Sequence, residues 1–148
     1  MALSRRRWIG TMLAAGAAAL LPLRLLANTA AAFKASDADT ALKELFGDTP
    51  IERSADIKLK IPDIAENGAV VPVTISTNIA NVQSISIVVD ANPNPLSASF
   101  KLSPDAFADV STRVKMGKSS LVRAFVQTPD KVYTTAKEVK VTIGGCGG

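Results

Sequence analysis

From Asp56 to Ile143 apolar residues recur at every second position, and this period constrains the fold more than any other feature of the chain. Ile57, Leu59 and Ile61 alternate with Lys58 and Lys60. Successive side chains of an extended backbone point to opposite faces, so the aliphatic groups face inward and the ammonium groups face water. Runs of the same kind cover 70–77, 82–90, 97–102, 110–116, 121–127 and 132–143, about seven strands with the first. Turn-forming stretches divide them: Glu66-Asn67-Gly68, Asn92-Pro93-Asn94-Pro95, Ser103-Pro104-Asp105, Gly117-Lys118 and Thr128-Pro129-Asp130. Short strands at this spacing predict an all-β fold, an immunoglobulin-like antiparallel β-sandwich, with a small open barrel as the second architecture. Pro72 interrupts the run 70–77 and has no N–H to give a ladder, which predicts an edge strand or a bulge there. An exposed edge can receive a partner strand, and the same proline can equally serve to keep one away.

One helix precedes the strands. Ser36 is positioned to cap the first free amides, and Asp39, three residues on, to reach back toward it. Leu42, Leu45 and Phe46 then share a face, and Gly47 supplies the left-handed residue that commonly ends a helix. An element of about three turns is not stable in isolation, so it must dock on the sheet or on a partner.

The first thirty residues read as a leader. A cationic stretch, Met1 to Trp8, is followed by an apolar run to Leu23 and by small residues at 27–32. About 15 apolar residues at about 1.5 Å each are too short for a hydrocarbon core of about 30 Å, and Arg24 stops the run. Ser4-Arg5-Arg6-Arg7-Trp8-Ile9 fits a twin-arginine signal, with an ordinary secretory signal as the plainer reading. Both direct the chain to export. The small-x-small run Ala30-Ala31-Ala32 predicts cleavage after Ala32. The chain then divides into a cleaved leader (1–32), a linker and short helix (33–53), a β-sandwich (54–143) and a terminal arm (144–148).

Charge and composition narrow the function. The formal charge is +4, from 17 basic and 13 acidic residues, but Arg5, Arg6, Arg7 and Arg24 all lie in the leader, so its removal leaves a neutral domain. Trp8, the one tryptophan, leaves with it, and neither a basic face nor an aromatic platform remains for nucleic acid. The chain has no histidine, which excludes a Ser-His-Asp triad, a Cys-His dyad, an ordinary zinc site and a histidine-ligated haem. No catalytic residue, metal ligand set or cofactor site emerges. The one cysteine, Cys146, rules out an internal disulfide and a Cys-x-x-Cys pair.

The chemistry therefore concentrates at the carboxy terminus. Four of the nine glycines, Gly144, Gly145, Gly147 and Gly148, surround Cys146 directly after the alternating Val139, Val141 and Ile143. Glycine has no side chain to anchor and costs the most backbone entropy to fix, which makes 144–148 a flexible arm. Three residues at about 3.5 Å each carry Cys146 about 10 Å past Ile143, on a backbone thin enough to enter a narrow cleft. A free thiol is a liability in an oxidising compartment, so its retention points to use. No base, metal or helix start adjoins it, and activation must come from a partner.

Gly144-Gly145-Cys146-Gly147-Gly148, with 139–143 before it, Glu66-Asn67-Gly68 followed by Val71-Pro72-Val73, and Asn92-Pro93-Asn94-Pro95, closely resembles the SoxY family, sulfur carriers of periplasmic thiosulfate oxidation. The resemblance implies a carrier, not an enzyme, that holds thiosulfonate and persulfide intermediates on Cys146. It implies a heterodimer with a SoxZ-like β-sandwich subunit. It further implies successive visits to a haem-containing SoxAX-type enzyme, a SoxB-type hydrolase and a SoxCD-type sulfur dehydrogenase. Two other classes stay open: a structural sandwich whose Cys146 links two copies, and a lone sulfurtransferase, for which four flanking glycines supply no rigid pocket.

Overall fold

The computed structural model describes residues 21–142. The arginine stretch with most of the leader's apolar run, and the arm 144–148 with Cys146, lie outside the described residues.

Two helices open the described chain, α1 (Leu21–Lys34) and α2 (Ala38–Phe46). The helix start differs from expectation by one residue. Asp37, not Ser36, is the cap: its backbone is extended, and its Oδ1 accepts from the Thr40 N–H at 2.8 Å. A carboxylate is a charged acceptor in the field of the free amides, and it takes the place of the hydroxyl. This hydrogen bond holds the Asp37 carboxyl below the usual carboxylate range. Asp39 then sits in the first turn, where its negative charge complements the positive end of the helix dipole. Gly47 ends α2 as expected, at φ 57°, and its N–H reaches Lys43 O at 2.9 Å.

Nine strands follow among the described residues: β1 (Ile51–Arg53), β2 (Ile57–Lys60), β3 (Ile64–Ala65), β4 (Val71–Thr77), β5 (Ser84–Val89), β6 (Leu96–Lys101), β7 (Asp109–Val114), β8 (Ser120–Gln127) and β9 (Val132–Val141). They form two sheets, β1-β9-β8-β5-β6 with β3 also on β9, and β2-β4-β7. The all-β sandwich is thus present, with each of the seven expected strands. The two additional ones, β1 and β3, are short and pair parallel to opposite ends of β9, and β1 begins before residue 54. Three- and two-residue segments carry no period that a sequence could display.

Between the sheets lies an aliphatic core: Ile57, Val71, Val73 and Ile75 from one, and Ile85, Ile87, Val89, Val122, Val126 and Val139 from the other. A second cluster forms on the outer face of the larger sheet. Val88, Leu96, Phe125 and Val132 are covered there by Ala32, Ala35, Ala41, Leu42 and Phe46. The rings of Phe46 and Phe125 meet at 5.7 Å between centroids. The short helix is therefore stabilised by docking on the sheet. β5 is buried along its whole length because it has a layer on each face. Its polar groups are paired, Ser84 Oγ donating to Gln127 Oε1 and Ser86 Oγ bonding Ser99 Oγ, each at 2.9 Å.

Pro72 requires a correction. Its strand, β4, is central in the smaller sheet, and the edges are β2 and β7. β2 ends at Lys60, opposite Thr74, so Pro72 meets Arg113 of β7 on one side and no strand on the other. The proline is tolerated because the neighbouring strand is short, and no edge strand results.

Candidate functional site: the root of the carboxy-terminal arm

Cys146 and Gly144, Gly145, Gly147 and Gly148 lie outside the described residues, and the described part of the candidate site is the strand end that leads to them. β9 is the longest strand and delivers the chain to Thr142. It is held on both sides as it arrives. The Val141 N–H donates to Ser119 Oγ at 2.9 Å, and the Thr142 N–H donates to Ala65 O at 3.1 Å. One residue earlier the Lys140 N–H donates to Asp63 O at 2.9 Å. Lys137 adds a tie from mid-strand, its Nζ lying 2.8 Å from Ile61 O and 2.9 Å from the exposed Asp63 carboxylate.

Beneath these contacts two turns come into near contact. The Met116 N–H donates to Gly68 O at 2.6 Å. A Cβ at residue 68 would collide with the Met116 carbonyl oxygen and lie 3.0 Å from Val141 Cγ1. Only glycine fits that approach. Asn67 shapes the turn by accepting the Ala69 N–H on Oδ1 at 3.0 Å. The Met116 turn is fixed from its far side by Asn92, whose Nδ2 donates to Lys115 O at 2.6 Å while Oδ1 accepts the Gly117 N–H at 3.1 Å. Asn94, two residues on, donates from Nδ2 to Ala35 O at 3.3 Å and ties the same loop to the helical layer.

The residues read as motifs in the sequence thus have a common address. The turn at 66–68 and the end of β9 touch directly, and 92–95 reaches them through residues 115–117. Val71 and Val73 are buried in the core immediately beyond. Ser119 and Met116 belong to the same assembly and were not singled out in the sequence; a serine next to a Gly-Lys turn and a methionine at a strand end carry no distinguishing pattern. Among the described residues the groups with shifted pKa values lie elsewhere, at Asp37, which is lowered, and at Lys131, which is raised by its hydrogen bonds to Glu52 at 3.1 Å.

The surroundings of the root are apolar on one side and basic on the other. Ile64 and Val70 are 57% and 51% exposed, beside Pro62 and Pro72 in a shallow groove. Lys115, Lys118 and Lys140 are exposed on the turn and the strand that meet there. Among the described residues no cluster of three His, Cys, Asp or Glu side chains could hold a metal. A larger cleft of about 620 Å³ opens on the outer face of the larger sheet, between Leu42, Ile51, Arg53, Leu121, Arg123 and Phe125. Arg123 is engaged there already, with Nε 2.8 Å from Asp90 and its guanidinium 5.6 Å above the Phe125 ring. No helix among the described residues is long and apolar enough to cross a membrane.

Comparison with known proteins adds a family. A family described as "Sulfur oxidation protein SoxY" matches residues 42–146, a span that ends on Cys146. Among solved structures the chain is similar to the sulfur carrier protein SoxY from Chlorobium limicola f thiosulfatophilum, at 45% identity and a TM-score of 0.65, over 71% of this chain and 96% of that one. A superoxide reductase (neelaredoxin) from Ignicoccus hospitalis is similar at 20% identity and a TM-score of 0.52, over 58% of this chain and 80% of that one, a likeness of fold alone. No curated protein matches the chain.

Proposed function

The chain belongs to the SoxY family of sulfur oxidation proteins, and we propose that within it the chain acts as a covalent sulfur carrier on Cys146. The observation that carries this reading is the extent of the family match, across the sandwich and up to the one cysteine of the chain. The similar Chlorobium protein bears the name of a sulfur carrier.

In this reading the Cys146 thiol and thiosulfate are joined oxidatively. A sulfur–sulfur bond forms, the thiol proton is released, and two electrons pass to a haem-containing SoxAX-type partner. The product is a cysteine S-thiosulfonate. A SoxB-type hydrolase then adds water, releasing sulfate and a proton and leaving a persulfide on Cys146. A SoxCD-type dehydrogenase then oxidises the outer sulfur: three waters supply its oxygens, seven protons are released, six electrons pass to that partner, and an S-sulfonate is left on Cys146. The chain supplies the nucleophilic sulfur and the arm, and the partners supply the catalysis. Tethering keeps each intermediate at high effective concentration for the next partner.

The described geometry supports this division of labour. Four residues separate Cys146 from Thr142, a reach of at most about 14 Å, and the strand end from which that reach is measured is anchored on both sides. A SoxZ-like subunit completes the carrier as a heterodimer, and the twin-arginine leader directs it to the periplasm.

Intact-protein mass spectrometry without reductant, on the chain purified during growth on thiosulfate, tests the reading. Additions of about 112 Da for thiosulfonate or about 32 Da for sulfane sulfur are expected, removed by reductant and absent in Cys146→Ser. With purified partners Cys146→Ser should abolish thiosulfate oxidation while the melting temperature stays unchanged. An unmodified mass, or a disulfide-linked dimer as the sole product, would overturn the carrier role.

A further inference from the structure

The expected cleavage site and a docked helix occupy the same residues. Ala30-Ala31-Ala32 lie in the last part of α1, and Ala32 is fully buried, with no exposed surface. It belongs to the cluster of Ala35, Ala41, Leu42, Phe46, Val88, Leu96 and Phe125 on the outer face of the larger sheet. Earlier in α1, Asn28 and Thr29 border a groove of about 240 Å³ against Glu44, Leu45 and Phe46 of α2. Asn94 holds the connection between the helices through Ala35 O. The leader's end is therefore packed as part of the domain's helical layer.

A peptidase binds its substrate as an extended strand, with residues on both sides of the bond free to pair with it. A helical backbone whose alanine is buried under a second helix cannot be bound that way. Cutting must proceed through an opened state, at a rate set by how often that state is populated. We propose that the folded domain guards its own processing site: α1, docked through Ala32, withholds the Ala32–Phe33 bond from a leader peptidase until the helix is pulled off the domain. The inference rests on the reading of residues 1–32 as a leader. The step guarded is a hydrolysis, in which water adds across that peptide bond to leave a carboxylate on Ala32 and an ammonium on Phe33. The peptidase contributes the catalytic groups. Ala35 and its bond to Asn94 stay with the domain, while Ala32 departs from the cluster.

The test uses the full chain and an elastase-type protease that cuts after alanine. Cleavage at residues 30–33 should be about 100-fold slower in the full chain than in a free peptide of residues 24–38. Ala32→Glu, which places a carboxylate where no water reaches, should undock α1 and speed cutting at the Ala30–Ala31 bond at least about tenfold. A full chain cut as fast as the peptide, within about threefold, would overturn the proposal. So would protection that persists in Ala32→Glu, because the guard would then not act through Ala32. The leader reading is judged separately, by the mass of the chain recovered from the export compartment. A chain that keeps residues 1–32 there would overturn that reading, and the processing role with it, while the elastase comparison still reports the docking.

Discussion

The space between the sheets and the root of the arm are built by different physics. Ile87, Val73, Val122 and Val139 meet between the sheets as aliphatic side chains with no exposed surface or almost none. Their requirement is volume, which several combinations of Val, Ile and Leu could fill. At the root the decisive contacts are backbone to backbone, with Met116 N–H on Gly68 O at 2.6 Å and Thr142 N–H on Ala65 O at 3.1 Å. Their requirement is absence of a side chain at one position and a specific amide at another. A volume-filled region degrades by degrees when altered, whereas a close approach is either present or lost.

That contrast can be broken or sharpened by substitution. Ile87→Ala removes three methyl(ene) groups from a site with no exposed surface and should lower stability by about 2–5 kcal/mol, read from the denaturant midpoint. The amides of Val141 and Thr142 should keep their protection at denaturant-free conditions, because hydrogen bonds to Ser119 and Ala65 hold them and not the volume of Ile87. Gly68→Ala should cost less overall, about 1–3 kcal/mol, yet displace the Met116 turn. Hydrogen exchange should quicken at Met116 and Val141 ahead of the core strands. A uniform change across the molecule in that variant would mean that root and core respond as one unit. Asn92→Ala removes two hydrogen bonds from the far side of the same turn, for about 1–2 kcal/mol, with the loss of protection centred on Gly117.

The smallest effect concerns pH. The Thr40 N–H lowers the Asp37 pKa in the folded state, so this contribution is complete above the unfolded carboxylate's range and is lost as pH falls through the lower folded value. Amides in the first turn of α2 should therefore exchange faster in acid, and Asp37→Ala should remove that step from the profile. The same acid dependence in both proteins would assign it to another carboxylate.

Much of the sandwich was legible because the alternation of side chains is itself the mechanism of burial. Ile57, Leu59 and Ile61 announce an inward face wherever the strand goes. What stayed hidden depended on neighbours distant in sequence. Pro72 looked like the mark of an edge, but its environment is decided by the length of β2, which stops opposite Thr74. Ser36 and Asp37 both suit a helix cap, and the competition between hydroxyl and carboxylate is settled by the backbone angles at the start of α2. At the root, Glu66-Asn67-Gly68 read as a turn and Asn92-Pro93-Asn94-Pro95 as another. That both bear on the end of β9 follows from pairings across dozens of residues, as does the part of Ser119.

The way β9 is joined to its neighbour also has a mechanical side. β8 runs beside it antiparallel in unbroken register from Val132 to Val139, eight paired positions in a row. A partner that grips the arm and pulls along the strand axis loads those hydrogen bonds in shear, all at once, instead of peeling them from one end. Traction on the end of β9 would then be shared along the strand and passed to the two-layered interior.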